Sequence, residues 1–161
     1  MTSDEIQSLL EPFCGYVELG MDIEANDALE ALPNQVKTHP LVLSARFELL
    51  MVTDHWEEGV ILGQSLTKLW PQQFNFWFHT AFCLHEMKRT AEAKQTLLNA
   101  PEAIRETAQY SYNLACYEAQ LGNIAEAKRQ LSIAFKMDQN FKADSLDDPD
   151  LEPLWSAIGQ T

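Results

Sequence analysis

The most reactive side chains of this sequence crowd into one stretch, "WFHTAFCLHEM", residues 77 to 87. His79 and Cys83 stand four residues apart and would share one face of a helix, a spacing at which two side chains can grip a soft divalent metal. A structural zinc site takes four ligands, and no Asp or Glu falls in phase with this pair. "HEM" at 85 to 87 opens like the helix of a zinc metalloprotease, yet the residue four beyond His85 is Arg89 instead of a second histidine. "GQSL" at 63 to 66 lacks the second glycine and the preceding strand of a hydrolase nucleophile elbow. Cys14, Cys83 and Cys116 have neither a CxxC partner nor an adjacent Lys or Arg to favour a thiolate. His39 and His55 fall in turn segments, and no glycine-rich phosphate loop occurs. The expectation is a non-catalytic chain with no metal and no cofactor.

Composition narrows the partners. With 161 residues, 46% of them hydrophobic, the chain is long enough for one ordinary core and one domain. Its 24 acidic against 11 basic side chains leave a net charge of −13, which repels a nucleic-acid backbone and an anionic membrane alike. No apolar run approaches the roughly 18 residues a bilayer needs. The opening "MTSDEIQSLL" is polar and acidic, unlike a secretory leader. These features read as a soluble, cytoplasmic protein with free thiols, no nucleic-acid partner and no membrane insertion.

The elements that carry these residues repeat. A small residue follows a glutamate at Ala25, Gly59, Ala93 and Ala127, each 34 residues from the last. Other positions keep the phase: Leu29, Gly63, Leu97 and Leu131; Leu32, Leu66, Ala100 and Ala134; Phe13, Phe47, Ala81 and Ala115. Four copies then cover 6–39, 40–73, 74–107 and 108–141 of a single domain. Within the third copy, Trp77, Ala81 and Leu84 form one apolar stripe at helical spacing and Ala93, Leu97 and Ala100 a second. Two helices per copy follow, and nothing reads as strand. Asp54 with Glu57, Thr90, and Asn123 with Glu126 supply expected N-caps. Pro12 should disturb the first helix, while Pro33 and Pro101 should shorten the second helices of copies one and three. Residues 142–161 lose the phase. There Leu151, Leu154, Trp155 and Ile158 form a stripe behind an acidic start, as expected of a terminal helix that caps the open end of a stacked array.

Repeat length, the Trp77, Ala81, Leu84, Ala93 and Leu97 arrangement, the "YNLACYEAQLGNIAEA" run and Pro71 together resemble the tetratricopeptide repeat family. The resemblance covers nearly the whole chain, is most specific in copies three and four, and departs from the family at Arg46, where an apolar residue is usual. It implies an all-α, right-handed superhelix of about four helix-turn-helix repeats with a short C-terminal cap, acting as a binding scaffold. The first helices of successive repeats would line a concave groove.

The groove positions that the resemblance implies contain no Lys or Arg, so the family's clamp for a C-terminal carboxylate is missing. Instead Phe78 and Phe82, with His85, form a second stripe beside the core stripe of the same helix. Tyr112 and Cys116 continue it in the next copy, and Leu41 and Met51 precede it. With Asn75 and Gln109 these nine residues are the candidate peptide-binding site. Acidic neighbours such as Glu48 and Glu86 suit a protein or peptide ligand with apolar anchors and basic flanks. Two alternatives stay open: the aromatic stripe belongs to the core or to a self-association surface, or the chain resembles the small acidic repeat chaperones of type III secretion, which hold a hydrophobic client segment.

Overall fold

The first helix, α1 (Ser3–Glu18), starts where the sequence offers reciprocal capping: Thr2 Oγ1 accepts from the Glu5 amide at 3.2 Å, and the Glu5 carboxylate accepts from the Thr2 amide at 2.6 Å. The structure, a computed structural model, describes residues 1–159. α1 continues through Pro12 as one helix, because the proline lies on its exposed side, where the freed Ser8 carbonyl can meet water. Next come α2 (Asp22–Glu30), α3 (Pro40–Val52), α4 (Trp56–Leu69), α5 (Phe74–Glu86), α6 (Thr90–Leu98) and the single turn α7 (Glu102–Arg105). α8 (Ala108–Gln120) and α9 (Ile124–Met137) form the last long pair. α10 (Asn140–Asp147), a 3-10 segment over Pro149–Leu154 and the four-residue α11 (Trp155–Ile158) complete the chain. Among the described residues there is no strand.

Every helix pair turns the corner in the same way. Gly20, Asp54, Lys88 and Gly122 have φ of 68°, 60°, 62° and 82° and stand 34 residues apart. At each corner the next amide reaches back to a carbonyl five residues earlier, Met21 to Tyr16, His55 to Leu50, Arg89 to Leu84 and Asn123 to Glu118, at 2.8–2.9 Å. These are Schellman caps, and they replace the expected side-chain N-caps. Asp54 sits in the left-handed corner itself, Thr90 Oγ1 bonds His85 Nδ1, and Asn123 Nδ2 donates to Glu118. None of the second helices carries a side-chain cap, because the corner is closed by the preceding helix's own carbonyls.

Pro33 and Pro101 act as expected: α2 and α6 are nine residues long against 14 in α4 and α9. Each shortened helix is followed by a single turn that buries an apolar plug, Val36 or Ile104. Arg46, in a position usually apolar, donates to Glu30 at 2.7 Å and ties α3 to α2. The expected core stripe of α5 is shifted by one place. Phe76 is buried, whereas Trp77 is only half-buried with its Nε1 donating to the Pro71 carbonyl at 2.9 Å. The indole satisfies its polar edge at the α4–α5 corner, and the phenyl ring has no such need.

Two apolar clusters run along the array. Ile6, Leu10, Phe13, Ala25, Leu29, Val42 and Leu49 form the N-terminal one. The larger spans α4 to α11, and Phe47 of α3 inserts into it. Gly63 makes that insertion feasible: a Cβ there would overlap Thr80 Oγ1 and lie 2.8 Å from the Phe47 ring. The glycines of α4, which weaken the helix taken alone, allow it to lie close against α5.

Two stability predictions follow from the corners and the contact at Gly63. Lys88→Gly should raise unfolding stability by about 1 kcal/mol, since a non-glycine residue in the left-handed region costs roughly that much. Gly63→Ala should lower stability by about 1–3 kcal/mol through overpacking, against its gain in helix propensity. Urea unfolding of both variants checks the signs, and a stabilising Gly63→Ala would contradict the close approach.

Candidate functional site

The inner face of the array is formed by α3, α5 and α8, and it has two unlike halves. Leu41, in the first turn of α3, is half-buried against the N-terminal cluster, and Met51 in its last turn is half-buried against the larger one. On α5, Asn75 is exposed, Phe78 packs partly on the core, and Phe82 remains 42% exposed with its ring edge-on to Trp56, centroids 5.7 Å apart. Gln109 at the start of α8 is exposed and donates to Asn113 at 2.7 Å. Exposed carboxylates flank this half: Glu48 on α3 and Glu86 on α5. Glu48 also acts on Cys14 of α1, whose thiol is pushed up by burial first and then by Glu48, Glu18 and Glu11.

His85, Tyr112 and Cys116 are buried, and the chain's own C-terminal segment covers them. Asp148 Oδ2 accepts from Tyr112 Oη at 2.8 Å and from Cys116 Sγ at 3.6 Å. Asp150 Oδ2 lies 3.0 Å from His85 Nε2, and the Asp150 carbonyl accepts from Gln120 Nε2 at 2.8 Å. Phe141 stacks on Tyr112 at 4.8 Å, while Tyr117 lies 5.1 Å from the His85 ring. Leu151, Leu154 and Ile158 then enter the larger core.

The apolar stripe of the expected terminal helix is thus buried at three of its four positions, with Trp155 half-buried and its Nε1 donating to the Ser145 carbonyl. Its form and place differ from expectation. The segment is 3-10 over Pro149–Leu154, where Pro149 and Pro153 remove amides an α-helix would use, and it lies chiefly across the inner face of α8. Gln160 and Thr161, the end of the expected cap, lie outside the described residues.

Burial sets the chemistry of this half. It pushes the Cys116 thiol and the Tyr112 hydroxyl far up, with the Asp148 carboxylate adding to both. The thiol and phenol therefore stay protonated and serve as donors to the tail's carboxylate. Cys83 is likewise pushed up to about 11, first by burial and then by Glu86. His79 turns its ring edge to Phe47 at 5.4 Å, and burial lowers its pKa. Among the described residues, no three His, Cys, Asp or Glu side chains are grouped to hold a metal, and no helix is long and apolar enough to cross a membrane.

Asp148, Asp150, Gln120 and Phe141 are site residues that sequence reasoning missed. The acidic run was assigned to a helix dipole. The available signal was chemical: Tyr112, Cys116 and His85 form a row of donors on an apolar face and need acceptors from elsewhere.

The helix pairs, their repeated corners and the inner face of first helices define a right-handed helical solenoid of tetratricopeptide type. No protein-family model and no curated protein sequence matches the chain. Among solved structures it is similar to MamA of AMB-1 (crystal form C2221), at 20% identity and a TM-score of 0.64, covering 81% of this chain and 76% of that one. It is also similar to MamA of MSR-1 (crystal form C2), at 19% identity and a TM-score of 0.65, covering 87% and 82%. MamA is a tetratricopeptide repeat protein, and the likeness shows a shared fold.

If Tyr112 anchors the tail, Tyr112→Phe should cost about 1–2 kcal/mol, the range for a hydrogen bond to a charged acceptor. It should also speed amide exchange in 148–158 while α1 to α3 keep their rates. Uniform change along the chain, read by exchange mass spectrometry, would contradict a local anchor.

Proposed function

We propose that this protein is a non-catalytic interaction scaffold that takes a protein segment with apolar anchors and basic flanks into the open half of its inner face. The observation that carries the reading is Phe82: an aromatic ring left 42% exposed in the middle of the inner face, beside half-buried Phe78. An exposed ring backed by a packed one is the kind of rigid apolar anchor that interfaces use. Around it stand exposed Glu48 and Glu86, on a chain of net charge −13. They favour cationic flanks on the ligand and would speed its association at low salt.

The other half of the face, at His85, Tyr112 and Cys116, already holds the C-terminal segment, so the nine-residue candidate site divides into a free portion and a covered one. Leu41, Met51, Asn75, Phe78, Phe82 and Gln109 belong to the free portion of this reading. A cytoplasmic setting belongs to the same reading and is supported by three unpaired thiols.

A peptide-display selection against the parent protein should enrich sequences with apolar anchors near Lys or Arg. Phe82→Ala should lose that enrichment while keeping its melting transition, and the enriched peptides should weaken several-fold from low to physiological salt. Enrichment that survives Phe82→Ala would move the ligand away from this face.

A further inference from the structure

A second surface lies at the C-terminal end of the array, between α9 and the tail. There an open groove of about 660 Å³ has Leu131, Phe135 and Ile158 on its floor and Lys128, Lys136 and Lys142 on its rim. The chain has 11 Lys and Arg residues in all, so three on one groove is a strong local reversal of a net charge of −13. No carboxylate lines the groove, and none of the three lysines forms an ion pair among the described residues.

The repeat geometry indicates what such a groove holds. Lys128 and Leu131 stand 34 residues beyond Lys94 and Leu97 of α6. Those two residues face α8, the helix stacked on α6: Leu97 is fully buried, and Lys94 Nζ meets the Glu118 carboxylate of α8 at 2.7 Å. Glu118 is itself buried and receives a further bond from Asn123. The same lysine on α9 has no helix stacked against it. The tail crosses chiefly to α8 and leaves this slot partly open.

We propose that the slot docks an acidic amphipathic helix from a partner protein. Its apolar face would rest on Leu131, Phe135 and Ile158, and a carboxylate placed as Glu118 is on α8 would meet Lys128. Lys136 and Lys142 serve further acidic residues along the same helix. The occupant is helical because α6 receives a helix through the equivalent positions. It is acidic because the rim is cationic and unpaired.

The test uses a fluorescent, lactam-bridged peptide copying residues 108–121 with Cys116→Ser, since this is the helix that fills the equivalent slot. Anisotropy titration of the whole protein should show saturable binding. Lys128→Gln in the protein, or Glu118→Gln in the peptide, should weaken it about tenfold, and the two together no further, as for one charge-assisted bond. Lys128 is exposed, so the variant should melt like the parent. Phe82→Ala should bind the peptide normally, which keeps this slot distinct from the inner face. Absence of binding, binding unchanged by Lys128→Gln, or loss on Phe82→Ala would each overturn the proposal. So would a dimer of the protein alone that Lys128→Gln dissociates, because the slot would then belong to a second copy.

Discussion

Everything in this array depends on a chain reversal that occupies almost no length. At Gly20, Asp54, Lys88 and Gly122 a single left-handed residue lets the amide that follows bond a carbonyl of the helix just finished. The next helix must then start within two residues and fold back along the first. With the corner fixed, side chains three and four apart on each helix face their neighbours, and the 34-residue period becomes a stack of equivalent layers. The strained Asp54 and Lys88 corners persist because the flanking helices are buried on both sides.

The second constraint is what a stacked array does with its last layer. Every helix pair covers one neighbour and is covered by another, so the final pair must have its apolar face covered by something else or leave it to water. Here the chain gives the last pair only a short tail. Asp148 and Asp150 secure that tail to Tyr112, Cys116 and His85, and Leu151 and Leu154 close the core beneath. Crossing toward α8 fills half of the inner face. It also leaves α9 with a lysine and a leucine in the positions by which α6 holds a helix. One choice of path therefore shapes both surfaces of interest.

Much of this was legible in the residues. The helices, their pairing and their shortening at Pro33 and Pro101 follow from periodicity and from proline's missing amide, which act over a few residues. The corners were legible too, once Gly20 and Gly122 are set in phase with Asp54 and Lys88. The swap of Trp77 for Phe76 in the core was not. Both are large and apolar, and only the Pro71 carbonyl within reach of the indole separates them. Likewise Gly59 and Gly63 read as weak points in a helix until Cys83, Thr80 and Phe47 are seen against them.

The sequence by itself determined the repeat, the all-helical class, the acidic surface and the residues that would line an inner face, because each depends on local spacing and side-chain type. Tertiary structure decided which of those residues remain free. Phe82 is open and Tyr112 is covered although both sit at equivalent positions, since residues 148–158 return across α8 and not α5. That return joins side chains more than 30 positions apart, Asp148 to Tyr112 and Asp150 to His85. No local period encodes such contacts; they exist only where the folded array brings donors and acceptors within 3 Å.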